Sequence, residues 1–295
     1  GGMVAAVLLS SRTLAPLAQI ANLFGRANNA KTSYKRLASF MEETQDDDVE
    51  EKNQTAIRRE KLGGLQFKDT TYRYPEADLD TLRGINLVIN EGEKIAILGR
   101  NGSGKSTLMK LASGLFKASD GLVMYDGVDI RQLHTDDLSR SVGIVLQDVQ
   151  LFSGSVRENI TMGRKDISQE DLVEAGKLSG LDEFISKIPG GYDLQLSDGG
   201  KGLSGGQRQS IALARAIVHK PSHFILDEPT SAMDMNAENL FIHQVGSILQ
   251  NSTMLIVTHR MPLLNLVDRI IVMNEGQIVE DGPKDEIIKK LNQNP

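Results

Sequence analysis

The sequence predicts an α/β fold, a mainly parallel sheet flanked by helices, with an all-helical insertion. Three observations carry this. From about Gly63 onward come short β-rich runs, "LQFKDT", "INLVIN", "KIAILG", "VGIVLQ", "HFILDE", "TMLIVTH" and "RIIVMN". Several are apolar over four or five consecutive residues, the pattern of strands buried on both faces. Helix-like stretches alternate with them at 105–116, 168–178, 206–219 and 234–249, and such alternation is how a parallel sheet is wound. Between about Asp148 and Gly202 no strand-like run occurs, which predicts helices alone in that interval.

Composition narrows the function. The 295 residues, 40% of them hydrophobic, suffice for one large core with an appendage. The net charge of −6 argues against a nucleic-acid partner, whose backbone calls for clustered Lys and Arg. The absence of cysteine excludes disulfides and thiolate metal sites. The histidines are scattered, with no pair at metal-ligand spacing.

In chain order, the first element is the apolar run Met3 to Leu9. Ser10, Ser11 and Arg12 end it well short of the ~20 residues of a membrane span, and it lacks the basic lead-in of a signal peptide. The opening Gly1-Gly2 is expected of a chain cut from something longer or of an expression remnant. Beyond Pro16, the apolar residues Leu17, Ile20, Phe24, Ala27, Tyr34, Leu37 and Met41 recur near 3.5-residue spacing, among small residues Ala18, Ala21 and Ala30. This predicts a helix, either an amphipathic partner helix or the cytosolic end of a membrane helix. The acidic stretch "TQDDDVEEKNQT" has no apolar period, so residues 44–62 read as a solvated linker between residues 1–43 and a domain over 63–295.

The strand "KIAILG" runs into Gly99-Arg100-Asn101-Gly102-Ser103-Gly104-Lys105-Ser106-Thr107 and then into a helix. Gly-x-x-x-x-Gly-Lys-Ser between a strand and a helix is the phosphate-binding P-loop. Its glycines let the backbone wrap the anion, and amides at the helix N-terminus face it. Lys105 is expected to reach β- and γ-phosphates and Ser106 to bind Mg²⁺. The strand "HFILDEPTS" ends in Asp227 and Glu228. A carboxylate at the tip of a strand beside the P-loop strand holds Mg²⁺ through water, a role we assign to Asp227. Glu228, pointing elsewhere, is the candidate to orient or deprotonate an attacking water.

A second glycine loop, Leu203-Ser204-Gly205-Gly206-Gln207, opens the helical segment "RQSIALARAIVHK". Ser204 suits the N-cap, and the loop amides form a further anion site. No Lys follows and no buried strand precedes it, so it completes a phosphate shell rather than making an independent nucleotide site. Spacing alone leaves open whether it does so within one chain or across two.

P-loop, LSGGQ and the Asp-Glu strand, in this order, resemble the ATPase domain of ABC transporters, over about Gly63 to Leu291. The resemblance implies a P-loop NTPase with a RecA-like core, an antiparallel β subdomain and a helical subdomain at about 148–215, with ATP and Mg²⁺ as cofactors. It implies further site residues: Tyr74 stacking on adenine, Gln147 meeting Mg²⁺ and the attacking water, His259 as the switch histidine near the γ-phosphate, and Asp234 in "SAMD" crossing a dimer interface. Histidines 134, 219, 223 and 243 are expected to be surface or structural. In the family two copies pack head to tail, each P-loop facing the partner's LSGGQ, an isologous arrangement.

The segment before the linker resembles the end of the last membrane helix of a fused exporter. With "SAMD" it is similar to exporters of type I secretion systems for adhesins and RTX-type toxins. That resemblance implies a transmembrane domain in the same transporter, a membrane-fusion protein, an outer-membrane channel, and a place at the cytoplasmic face of the bacterial inner membrane. One departure stands out: where many exporters carry an acidic loop before LSGGQ, this chain has "SDGGKG", with only Asp198 acidic. Alternatives are an exporter of lipid, peptide or drug, a non-transport ABC ATPase, and a nucleotide-gated dimerisation module.

Overall fold

A computed structural model describes residues 2–3, 19–20, 22–38, 55–75, 77–231, 233–249 and 252–293. The chain divides into two compact units, Gly1–Thr55 and Ala56–Pro295. In the first, residues 22–38 form a helix whose apolar side chains, including Phe24, Tyr34 and Leu37, are exposed. No helix among the described residues is long and apolar enough to cross a membrane. Gly1, residues 4–18, Ala21, Met41, residues 44–54, Glu76 and Ala232 lie outside the described residues.

The second unit begins earlier than the linker expectation placed it. Residues 56–62 pack onto the domain: Ile57 bridges Leu133, Arg58 Nε pairs with Asp137 Oδ2 at 2.9 Å, and Leu62 is fully buried. The apolar Ile57 and Leu62, spaced among charged residues, gave no period to read.

Two sheets organise this unit. The antiparallel one has the order β2-β1-β4-β5, with β1 Leu65–Tyr72, β2 Leu82–Ile89, β4 Asp120–Tyr125 and β5 Val128–Asp129. The other has the order β12-β11-β3-β10-β9-β6. Its strands are β3 Lys94–Gly99, β6 Val142–Val145, β9 His223–Asp227, β10 Thr253–Val257, β11 Arg269–Asn274 and β12 Gln277–Pro283. All its pairings are parallel except β11 with β12.

Alternation along the parallel strands feeds two cores, because successive side chains point to opposite faces. Ile95, Ile97, Leu255, Val257 and Ile271 face the antiparallel sheet and helix α1 (Lys105–Ala112). Helix α2 (Thr135–Ser141) joins the same core through Leu138. Ala96, Met254, Ile256, Phe224 and Leu226 face the remaining helices. These are α3 Val156–Thr161, α4 Gln169–Leu178, α5 Asp182–Ile185, α6 Gly205–Ile217, α7 Met235–Ile248 and α8 Lys284–Gln293; α6 contributes more buried residues to that core than any other helix.

The predicted α/β class and mainly parallel sheet are found, with three differences. The 148–202 interval holds α3, α4 and α5 but also a two-residue strand pair, β7 (Gly154–Ser155) with β8 (Gln195–Leu196). Helix α1 stops at Ala112, where Ser113 caps it, short of Phe116. The strand bearing Asp227 is not beside the P-loop strand: β10 lies between β3 and β9. Both β9 and β10 are buried throughout and share an apolar middle, Phe224–Leu226 and Met254–Val257, so composition could not rank their order across the sheet.

Candidate functional site

The P-loop wraps the end of β3. Gly99 has φ 150°, and a Cβ there would come within 2.3 Å of the Met273 carbonyl oxygen. Gly104, the N-cap of α1, has φ 97°, and a Cβ would meet Leu82 Cδ2 at 2.6 Å. Both positions therefore require glycine, one for close approach of two strands and one for a left-handed turn against β2. Lys105 folds back over the loop it follows, its Nζ donating to the Gly99 and Arg100 carbonyls at 2.9 Å each. Desolvation pushes this amine below its ordinary pKa range, while Glu228 and Asp227 act in the opposite direction.

The loop opens onto a cavity of about 860 Å³ lined by Tyr74, Thr81, Arg100, Asn101, Gly102, Gly104, Lys105, Ser106, Thr107, Gln147, Glu228 and His259. Tyr74 stands at its rim, its hydroxyl 3.1 Å from Thr107 Oγ1. The Tyr74 ring meets Tyr72 and Phe116 edge-on, and those two rings stack on each other at 5.1 Å. An aromatic surface and a glycine cradle thus share one cavity.

Acidic groups lie at the C-terminal end of β9. Asp227 is buried, and burial pushes its carboxyl above the usual range, with a hydrogen bond to Ser106 opposing. Its Oδ1 has no hydrogen-bond partner among the described residues, and a buried oxygen left so is costly unless something binds it. Glu228 takes a left-handed backbone, φ 45°, uncommon outside glycine. Its N–H donates to the Val257 carbonyl at 2.9 Å. The turn aims the carboxylate into the cavity, where His259 Nε2 lies 3.2 Å from Oε1 and Gln147 Nε2 lies 3.5 Å from Oε2. Three side chains from three separate strand ends meet at one carboxylate.

No group of three His, Cys, Asp or Glu that could hold a metal occurs among the described residues. The donors present are one buried carboxylate, Asp227, with Ser106 and Gln147. That set fits Mg²⁺, which keeps several waters and takes one or two carboxylates together with substrate phosphates.

The second glycine loop is elsewhere. Ser204 caps α6: its hydroxyl accepts from Gln207 N at 3.2 Å while Gln207 Oε1 accepts from Ser204 N at 2.9 Å, a capping box. The hydroxyl hydrogen remains to donate outward. Ser204 is exposed, and neither it nor Gly205, Gly206 and Gln207 lines the cavity. Asp234 is likewise exposed; it caps α7 by accepting from Ala237 N. Gly99, Ser103 and Asp227 lie behind the cavity lining rather than in it. Of the other histidines, His134 caps α2 and His223 is buried in β9.

Thr81 lines the cavity without having been anticipated, because no motif marks it. A hydrogen-bonded group next to Glu228 and His259 also escaped the sequence: buried Thr230 and Glu238 with the half-buried Arg260. Only the adjacency of Arg260 to His259 hinted at it.

Residues 82–231 match the ABC transporter family, and the chain belongs to that family. Over 290 residues it is 38% identical to the leukotoxin export ATP-binding protein of Aggregatibacter actinomycetemcomitans, covering 98% of this chain and 40% of that protein. It is 37% identical over 290 residues to the alpha-hemolysin translocation ATP-binding protein of Escherichia coli O157:H7, and 36% over 288 to the cyclolysin secretion/processing ATP-binding protein of Bordetella pertussis, each with 98% of this chain and 40% of the relative covered. The chain thus spans about 40% of the length of these curated relatives. Among solved structures, a bacterial Atm1-family ABC exporter with ATP bound superposes with a TM-score of 0.71 at 30% identity, covering 78% of this chain and 40% of that one.

Proposed function

We propose that this chain binds ATP with Mg²⁺ in the P-loop cavity and hydrolyses it to drive export of protein through a transmembrane domain of the same transporter. The observation that carries the reading is the Glu228 carboxylate, held between His259 and Gln147 at the open side of the P-loop.

Each residue has a task in this scheme. Tyr74 offers its ring to adenine; base–aromatic stacking is worth ~1–3 kcal/mol. The amides of Asn101 to Thr107 face the phosphates at the N-terminus of α1. Lys105 exchanges its two carbonyl partners for phosphate oxygens, trading neutral acceptors for charged ones. Ser106, Gln147 and, through water, Asp227 would hold Mg²⁺, which when bound neutralises charge on the β- and γ-phosphate oxygens. Glu228 orients and deprotonates the attacking water, and His259 fixes that carboxylate and reaches the γ-phosphate.

The exposed Ser204 loop, outside the cavity, supports a head-to-tail pair of chains in which each Ser204 and Gly205 closes the other's nucleotide, with Asp234 at the shared interface. ATP then favours the closed pair by its differential affinity for it, and hydrolysis removes that preference. The names of the relatives, which export or translocate leukotoxin and haemolysin, support protein as cargo over lipid or drug. The resemblance to type I secretion exporters further implies the cytoplasmic face of the bacterial inner membrane as location, with a membrane-fusion protein and an outer-membrane channel as partners. The test is phosphate release by this chain with Mg²⁺-ATP, then secretion by the whole transporter carrying Glu228→Gln. Loss of both phosphate release and protein secretion is expected; protein secretion continuing without phosphate release would overturn the coupling of hydrolysis to export, and a wild-type transporter that hydrolyses ATP but secretes no protein would overturn the export reading.

A further inference from the structure

We propose that Glu238 is a positioning residue that sets the separation of Glu228 and His259; this rests on the hydrolytic reading above. Glu238 lies in the first turn of α7, with its side chain only 8% exposed. Both its oxygens are taken. Oε1 accepts from Thr230 Oγ1 at 2.8 Å, and Oε2 accepts from Arg260 Nη1 at 3.0 Å.

The partners are what make this carboxylate informative. Thr230 lies two residues beyond Glu228, and Arg260 directly follows His259. The two arms that carry the reacting pair are therefore tied together behind it by one buried group. Arg260 also donates to the Met233 carbonyl at 3.4 Å, and its N–H donates to Thr258 Oγ1 at 3.0 Å. Thr230 and Thr258 are almost wholly buried, so neither arm can shift without breaking a bond in the interior.

Stability alone is a weak reason for such an arrangement. An ion pair whose carboxylate is buried but whose guanidinium side chain is 37% exposed adds little net stability. What it adds is a fixed distance, since a carboxylate with both oxygens bonded has one orientation. Glu228 needs that constraint because its left-handed backbone, φ 45°, is a conformation that persists only when its surroundings hold it. Glu238 also starts in the helix that Asp234 caps, so movement of that cap at a chain–chain interface would pass through Glu238 to both arms.

The test compares Glu238→Gln and Thr230→Val with the wild-type chain in Mg²⁺-ATP hydrolysis, with thermal melts as a check on folding. Gln keeps the shape but cannot accept from both partners; Val removes one donor at equal volume. We expect each to lower kcat at least ~10-fold while KM for ATP changes less than twofold. We further expect Glu238→Gln to add little in a His259→Ala background, because it acts through that pair; a merely structural role would lower activity equally in both backgrounds. Should Glu238→Gln fail to fold, Thr230→Val decides by the same readout. Wild-type kcat in the variants that fold, or a full additional loss on top of His259→Ala, would overturn the inference. If the wild-type chain does not hydrolyse ATP, or Glu228→Gln hydrolyses it equally well, the hydrolytic reading falls first and this inference with it.

Discussion

His259 Nε2 lies 3.2 Å from Glu228 Oε1, with Glu228 directly following β9 and His259 two residues beyond the end of β10. The contact is half open to solvent, with the histidine side chain 50% exposed and the glutamate 22%. A pair so exposed adds little to stability, so its effect should appear in turnover. We expect His259→Ala to lower kcat by ~10²-fold or more with ATP affinity nearly unchanged, measured by phosphate release alongside nucleotide binding. Weaker ATP binding with kcat unchanged would assign His259 to ground-state contacts instead.

Gly104 gives a test of the cradle. Alanine there must sit at φ 97° and press its Cβ against Leu82 Cδ2 at 2.6 Å and the Thr81 carbonyl at 3.1 Å. The left-handed backbone alone costs roughly 1–2 kcal/mol. We expect Gly104→Ala to lower the melting temperature and to shrink the extra stabilisation that added ATP supplies, since that shift reports affinity.

Ser204 separates the two glycine loops. Because it does not line the cavity, Ser204→Ala should leave binding of ATP to the single chain unchanged. The lost cap costs about 1 kcal/mol in α6. Hydrolysis and ATP-dependent pairing of chains should fall much further, read by phosphate release and sedimentation.

His223 predicts how stability varies with pH. Burial holds its pKa at about 4, below the ordinary 6.5, with Ser222 Oγ 3.0 Å from Nδ1. The folded chain keeps the ring neutral while the unfolded chain protonates it below 6.5. Its contribution is therefore fully present above pH 6.5 and is lost as pH falls toward 4, up to about 3 kcal/mol. Melting temperatures across that range should drop less steeply in His223→Leu than in the wild type.

The P-loop, the Asp-Glu strand and Ser204's cap were legible because each depends on local chemistry: glycines at fixed spacing, a buried run ending in acids, a hydroxyl before a helix. Strands β4 and β12 were not, because "DGLVMY" and "QIVEDGP" mix glycine and charge into edge-like segments. The place of β10 between β3 and β9 is a tertiary fact, invisible where every strand is equally apolar. Within the site, sequence brought Glu228, Gln147 and His259 together only by resemblance. It gave no sign of the left-handed turn at Glu228, of Lys105 resting on the Gly99 and Arg100 carbonyls, or of the Glu238 tie, all of which arise from contacts between distant segments.

The central claim is that Glu228 acts on water at a nucleotide shared by two chains. Its most direct test is Glu228→Gln with Mg²⁺-ATP, followed by sedimentation and phosphate release in one sample. We expect a stable ATP-bound pair of chains and phosphate release lowered ~10²–10⁴-fold. Release at the wild-type rate, or a chain that stays single with ATP bound, would contradict it.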